Sequence, residues 1–284
     1  MVALTHITTA LVLLSYLAPA FVRSQPPATS SSDSLFSQTI AESLDHEFSS
    51  PAISFLLLDA RSGRVLASRW EHPETPIPLG SLSKPFAALA YGEHHDFHFP
   101  DHTCRGSASG CWRPGGHGSV SLTSAIAFSC NSYFRVLSAG LNAAEVSATA
   151  SRFGLEPPDR SASGAALAGM GARWRMSPLR MAEAYNELFR ERRQPAVGQI
   201  LDGMAESASH GTAAEVDRAL KITTALAKTG TAPCTHHQHS PGDGFSIALF
   251  PADSPRVLLM VRVHGVPGAV AAKTAGEMLR RFEN

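Results

Sequence analysis

The chain has 284 residues, of which 44% are hydrophobic and 17% charged, and its formal net charge is zero. That length and apolar content can bury a full core, in one large domain or two small ones. The even charge excludes a protein that holds nucleic acid or a membrane surface through a basic face, so neither is expected as a partner.

The N-terminal stretch "ITTALVLLSYLAPAFV" is an apolar run closed by the small residues Ala18-Pro19-Ala20. It reads as an export signal or an N-terminal membrane anchor over residues 1–24, although only His6 supplies charge ahead of it. Either reading puts the rest of the chain outside the cytoplasm, in the periplasm or cell envelope. Residues 25–34, "QPPATSSSDS", read as a flexible linker.

From residue 35 onward the patterning is that of a folded domain. "FSQTIAESLDHEF" predicts a helix over 36–48, and "AISFLLLDARSGRVLASRW" predicts a hairpin turning at Arg61-Ser62-Gly63. "SKPFAALAYGE" predicts a helix with Pro85 in its first turn. Residues 92–120, rich in His, Gly, Pro and Cys, predict irregular chain. Helix-compatible segments then run to about residue 225. "ALAKTGTA" and "GFSIALFPADSPRVLLMVRVHG" predict three strands, and "AVAAKTAGEMLRRF" an amphipathic closing helix. Strand blocks at both ends and helices between them predict an α+β fold. An antiparallel sheet would be flanked by helices, with an all-helical lobe inserted over about 92–225 and a cleft between the lobes.

Lysine is scarce, occurring only at 84, 221, 228 and 273, and two of the four lie in short motifs. "SLSK" spans 81–84, "SCN" 129–131 and "KTG" 228–230. Singly, each has a bland reading, Ser81 as a helix N-cap for instance. Together, in this order and on these predicted elements, they match the serine acyl-transferases with a Ser-x-x-Lys nucleophile. A serine hydroxyl needs an adjacent base, and Lys84, one helical turn after Ser81, can act as one only when neutral, a form that burial and a nearby positive charge favour.

The chain resembles the penicillin-binding protein transpeptidase domain, of the serine β-lactamase-like superfamily. "PLGSLSKPF", "LTSAIAFSCNSYF", "MSPLRMAEAYNELF" and "AKTGTA" with the hairpin after it carry the resemblance, over residues 50–284. It implies a Ser81 acyl-enzyme with Lys84 as base and Lys228 across the cleft. Ser129 would relay a proton to the leaving amine, and Asn131 would hydrogen-bond the substrate amide. Thr229 and Thr231 would join Lys228 on the substrate carboxylate, and the backbone N–H of Thr231 would be an oxyanion donor. Gly230, lacking a side chain, would let the substrate lie along the strand. The implied substrates are peptidoglycan stem peptides ending in D-Ala-D-Ala, with β-lactams as inhibitors, cell-wall assembly proteins as further partners and no cofactor. DD-transpeptidase, DD-carboxypeptidase, β-lactamase and a non-turnover penicillin sensor share this constellation. Glu156, in "GLEPPD", lies outside the glutamate pattern that activates water in class A β-lactamases and reads as a surface-loop residue.

Four cysteines in an exported chain permit two disulfides. Cys104 and Cys111 flank "RGSASG" and could close a small loop. Cys130 and Cys234 adjoin motifs that line one cleft in the family fold, which makes them the second candidate pair. The histidines of "EHHDFHFPDH" and "CTHHQH" form no ordered ligand pattern and read as solvated loop residues, and His117 reads as a turn residue. No metal is expected.

Overall fold

In the computed structural model, two strands from the start of the chain join three from its end in one sheet. The structure describes residues 39, 40, 42–234 and 242–283. The segments read as an export signal (1–24) and linker (25–34), and His236, His237 and His239, lie outside the described residues.

Helix α1 (42–47) leads to β1 (Ile53–Asp59) and β2 (Val65–Arg69), the predicted hairpin. Asp59 shapes its turn, since its Oδ1 accepts the N–H groups of Arg61 and Ser62. Next come β3 (Ile77–Pro78), a 3-10 turn at Gly80–Ser83 and α2 (Lys84–His94). The stretch expected to be irregular contains a small hairpin, β4 (His102–Cys104) with β5 (Gly118–Val120). The helical region follows as α3 (Leu122–Ala127), α4 (Asn131–Ala139) and α5 (Ala143–Arg152). Strand β6 (Arg175–Met176), which pairs with β3, then leads to α6 (Pro178–Arg190), α7 (Val197–Ser209) and α8 (Ala214–Ala219). The chain closes with β7 (Leu226–Ala232), β8 (Asp243–Phe250), β9 (Val257–His264) and α9 (Gly268–Leu279).

The main sheet runs β2-β1-β9-β8-β7, and every pairing in it is antiparallel. Its inner strands are apolar on both faces because each face carries a core. Leu56 and Leu58 of β1 enter the core shared with α2–α7, while Phe55 and Leu57 enter the one beneath α8 and α9. Ile247 and Met260 face the first core, and Ala248 and Leu259 the second. The fold is the expected α+β layering, with one difference in the helical middle. Helix α8 packs against α9 on the far side of the sheet, so residues 92–225 do not form one lobe. Val216 of α8 is buried in that second core, with Ala272 and Ala275 of α9.

Candidate active site

The nucleophile candidate sits on a backbone that is pressed against the sheet. Ser81 lies in the 3-10 turn, one turn ahead of α2, and does not cap that helix. Its neighbour Ser83 donates instead to the Gly80 carbonyl at 3.0 Å. Gly80 has φ +58°, and a Cβ there would lie 2.2 Å from the Thr231 carbonyl oxygen of β7. A Cβ on Gly230 would lie 2.5 Å from the carbonyl oxygen of Leu79. Glycine is therefore required on both sides of the contact that brings Ser81 beside the third motif. The missing side chain of Gly230 thus makes room for the turn that carries Ser81, a second reason for glycine at a position that also lines the cleft.

Lys84 begins α2 and is fully buried, as is Lys228 in β7. Lys84 Nζ lies 2.8 Å from the Ser129 carbonyl oxygen, 3.2 Å from Ser129 Oγ and 2.7 Å from Asn131 Oδ1. Lys228 Nζ donates to Ser129 Oγ at 3.0 Å and to the Thr229 carbonyl at 2.9 Å. The second motif thus binds both lysines, and one hydroxyl lies between them. The Lys84 N–H donates to the Ser81 carbonyl, but the expected side-chain contact, Ser81 Oγ with Lys84 Nζ, is not among the hydrogen bonds made by the described residues. Lys84 is turned toward Ser129 and Asn131, and catalytic hydrogen bonds commonly tighten only when substrate is bound.

Burial brings Lys84 down to about 7, opposed by Cys130 and Cys111 and assisted by Arg135. Burial also holds Lys228 well below the usual lysine range, and the charge of Lys84 lowers it further. An ammonium at Lys84 would fill all three of its contacts as donor. A neutral amine keeps two N–H groups for the Ser129 and Asn131 oxygens and presents a lone pair.

Ser129 occupies the turn from α3 to α4 with φ +49°, left-handed backbone that costs a non-glycine residue on the order of 1–3 kcal/mol. The conformation lets the Ser129 carbonyl and hydroxyl both face Lys84 while Cys130, the N-cap of α4, points back into the core.

Ser81, Ser129, Asn131, Thr229, Gly230 and Thr231 line one cleft of about 370 Å³. The sequence reading missed three of its other features. Trp112, half-exposed, forms part of the wall and is fixed by a hydrogen bond from Nε1 to the Phe128 carbonyl at 3.1 Å. Thr212 also lines the cleft, and its hydroxyl accepts from Thr229 Oγ1 at 2.7 Å. Thr231 Oγ1 accepts the Gly268 N–H at 3.0 Å, tying β7 to the start of α9. Nothing in "SHGTAAE" or "GCWRPGG" flags Thr212 or Trp112 before folding.

Glu156 is outside the cleft lining, as the sequence suggests, but it is not idle. Its Oε2 accepts the Ser177 N–H at 3.0 Å, and its carbonyl accepts Trp174 Nε1 at 2.8 Å.

All four cysteines are free thiols. The expected Cys130–Cys234 pairing gives way to a different arrangement. Cys130 lies with Cys104, Cys111 and His117, while Cys234 lies with Asp243 and His264. Cys104 and Cys111 are neighbours, as their spacing suggests, but are not bonded. His117 is no simple turn residue, since its Nδ1 is 3.5 Å from the sulfurs of both Cys104 and Cys111.

The family model described as "Penicillin binding protein transpeptidase domain" matches residues 53–282. Among solved structures, the chain is similar to PBP2 of Pseudomonas aeruginosa, crystallised with WCK 5153. The two are 18% identical with a TM-score of 0.72, over 87% of this chain and 74% of that one. It is similar to PBP2 of Helicobacter pylori, solved in complex with MreC, at 17% identity and TM-score 0.70, over 86% of this chain and 63% of that one. It is also similar to PBPA of Mycobacterium tuberculosis, at 18% identity and TM-score 0.66, over 87% and 80% respectively. At these identities the structural likeness speaks for the fold. No curated protein matches the chain in sequence.

Proposed function

The chain belongs to the penicillin-binding protein transpeptidase family, whose members are penicillin-binding acyl-transferases, and from that premise we propose that it acylates its own Ser81 with peptidoglycan stem peptides ending in D-Ala-D-Ala. The acyl group then passes to an amine, a DD-transpeptidase reaction, with water as a secondary, carboxypeptidase acceptor. The observation that carries the reading is the run Lys84–Ser129–Lys228, joined by hydrogen bonds of 3.2 and 3.0 Å, whose central hydroxyl residue lines the same cleft as Ser81.

The steps follow from the residue chemistry. Neutral Lys84 takes the Ser81 proton as Oγ bonds to the penultimate D-alanine carbonyl carbon. Backbone N–H groups of Ser81 and Thr231 stabilise the oxyanion, a pairing supported by the close packing of Gly80 on Thr231. The C–N bond to the terminal D-alanine then breaks, and the proton reaches the leaving amine from Lys84 through Ser129 Oγ. Asn131 holds the substrate amide, and Lys228, Thr229 and Thr231 hold the terminal carboxylate. The acceptor amine then attacks the ester carbonyl; as the new amide forms, the ester C–O bond breaks and the amine's proton returns along the same path, through Ser129 and Lys84, to Ser81 Oγ.

Glu156 favours this reading over a β-lactamase. A group that caps a turn through the Ser177 N–H is not free to activate a deacylating water. Residues 35–284 would act as one unit outside the cytoplasm, with residues 1–24 directing export or anchoring the chain. Among the described residues no helix is long and apolar enough to cross a membrane. The complex of the Helicobacter relative with MreC supports an assembly partner of that kind here.

The test is exchange of a labelled D-amino acid into a D-Ala-D-Ala pentapeptide. Wild type should incorporate the label, and Ser81→Ala should not. Stable acylation by penicillin with no exchange would instead favour a sensor.

A further inference from the structure

Three thiols and an imidazole converge immediately behind the second motif. Cys104 ends β4, Cys111 and His117 lie on the loop joining β4 to β5, and Cys130 caps α4. Their four ligand atoms all lie within 4.8 Å of one another, and the three cysteines are buried. Three of the six spacings match those of one tetrahedral ion closely. Zn–S bonds of about 2.3 Å and a Zn–N bond of about 2.1 Å put neighbouring sulfurs about 3.8 Å apart and sulfur about 3.6 Å from nitrogen. Here Cys111 and Cys130 sulfurs are 3.9 Å apart, and His117 Nδ1 is 3.5 Å from two sulfurs.

Two further observations point to a ligand. The only polar contacts of the His117 ring are those of Nδ1 with the two thiols, since its other nitrogen, Nε2, is buried without a partner among the described residues. The loop itself is poor in apolar side chains, "RGSASGCWRPGGH", yet it is folded tightly. A Cβ on Gly106 would lie 1.8 Å from the Pro114 carbonyl oxygen, and one on Gly116 would lie 2.3 Å from that of Cys104. A hairpin of two three-residue strands needs a staple of some kind to hold such a loop.

We propose that Cys104, Cys111, His117 and Cys130 bind a structural zinc ion that clamps the Ser129–Asn131 turn from behind. Coordination would release the thiol protons to solvent and leave no open position on the metal, so the ion takes no part in bond making. Its effect is on position. Cys130 stands between the two residues that hold Lys84, and Ser129 keeps left-handed backbone only while its surroundings hold it there. The clamping half of the proposal rests on the acyl-transfer reading above, whereas the metal site stands apart from it.

The experiment is metal analysis of the full chain purified without an affinity tag. About one zinc per chain is expected, and Co²⁺ exchanged into the native protein should give thiolate-to-cobalt charge transfer and intense tetrahedral d–d bands. Cys104→Ser and His117→Ala should each lose the tightly held metal. No zinc in folded protein together with a bandless Co²⁺ spectrum, or a disulfide joining two of the three cysteines, would overturn the site. Chelation of wild type should lower the rate constant for β-lactam acylation about tenfold or more, with recovery on adding Zn²⁺. Unchanged acylation after metal loss would overturn the clamp. Zinc bound to a protein that no β-lactam acylates would leave the site standing and remove the acyl-transfer reading.

Discussion

Lys84 and Lys228 meet at a single hydroxyl, their Nζ atoms lying 3.2 and 3.0 Å from Ser129 Oγ. Two buried amines this close disfavour a second proton, and Lys84, chiefly through its burial, is brought down to about 7. Lys84 as base requires the neutral form, which is lost as pH falls below about 7. The rate constant for acylation by penicillin should therefore rise about tenfold per pH unit below that point and level off above it. A profile that keeps rising to pH 10, as for an ordinary lysine, would contradict the assignment. Stopped-flow acylation across pH 5–10 reads it directly.

The contact between the nucleophile turn and β7 allows no side chain at Gly230. Gly230→Ala would force its Cβ against the Leu79 carbonyl, 2.5 Å away. The turn would have to shift, costing about 1–3 kcal/mol of stability. Acylation should slow more than the melting temperature suggests, because Ser81 moves with the turn. Thermal unfolding and acylation measured on one preparation test this, and a variant that melts and acylates like wild type would refute the role given to Gly230.

Tyr185 supports the same turn from below. It is fully buried, and its hydroxyl donates to the Leu82 carbonyl at 2.9 Å. Tyr185→Phe leaves that carbonyl without its donor, a loss of about 1–2 kcal/mol. Chemical denaturation should show that decrease, accompanied by a several-fold slower acylation of Ser81. Retention of full stability would mean that water replaces the hydroxyl.

Under the proposed function, Glu156 is the residue that tests transfer against β-lactamase turnover. Its carboxylate accepts the Ser177 N–H and lies beside Arg180, at the start of α6. Glu156→Gln should lower stability by about 1 kcal/mol and leave the lifetime of the penicilloyl-enzyme unchanged. A marked lengthening of that lifetime would identify Glu156 as a deacylation base after all.

Much of this was legible in the sequence because its chemistry is local. Ser81 and Lys84 fall within one turn, the β1–β2 hairpin is marked by Arg61-Ser62-Gly63, and apolar runs at both chain ends foretell a shared sheet. What stayed hidden depends on distant segments meeting. The metal-type cluster joins residues 26 positions apart, from Cys104 to Cys130, through a loop whose folding no periodicity encodes. Thr212 reaches the cleft only because α7 packs beside β7. The reason for Gly230 lies in the Leu79 carbonyl, which is 151 positions away in sequence. Cys130 and Cys234 both adjoin cleft motifs, but Cys130 turns into the core as the cap of α4 while Cys234 follows β7 toward Asp243.

The central claim is that Ser81, served by an uncharged Lys84, forms a covalent acyl-enzyme. Intact-mass spectrometry of the full chain after exposure to benzylpenicillin measures this most directly. One penicilloyl group per chain, mapped to Ser81, slow to leave and absent from Ser81→Ala, is the predicted result. Folded wild-type protein that gains no mass, or an adduct mapped to any other residue, would contradict it.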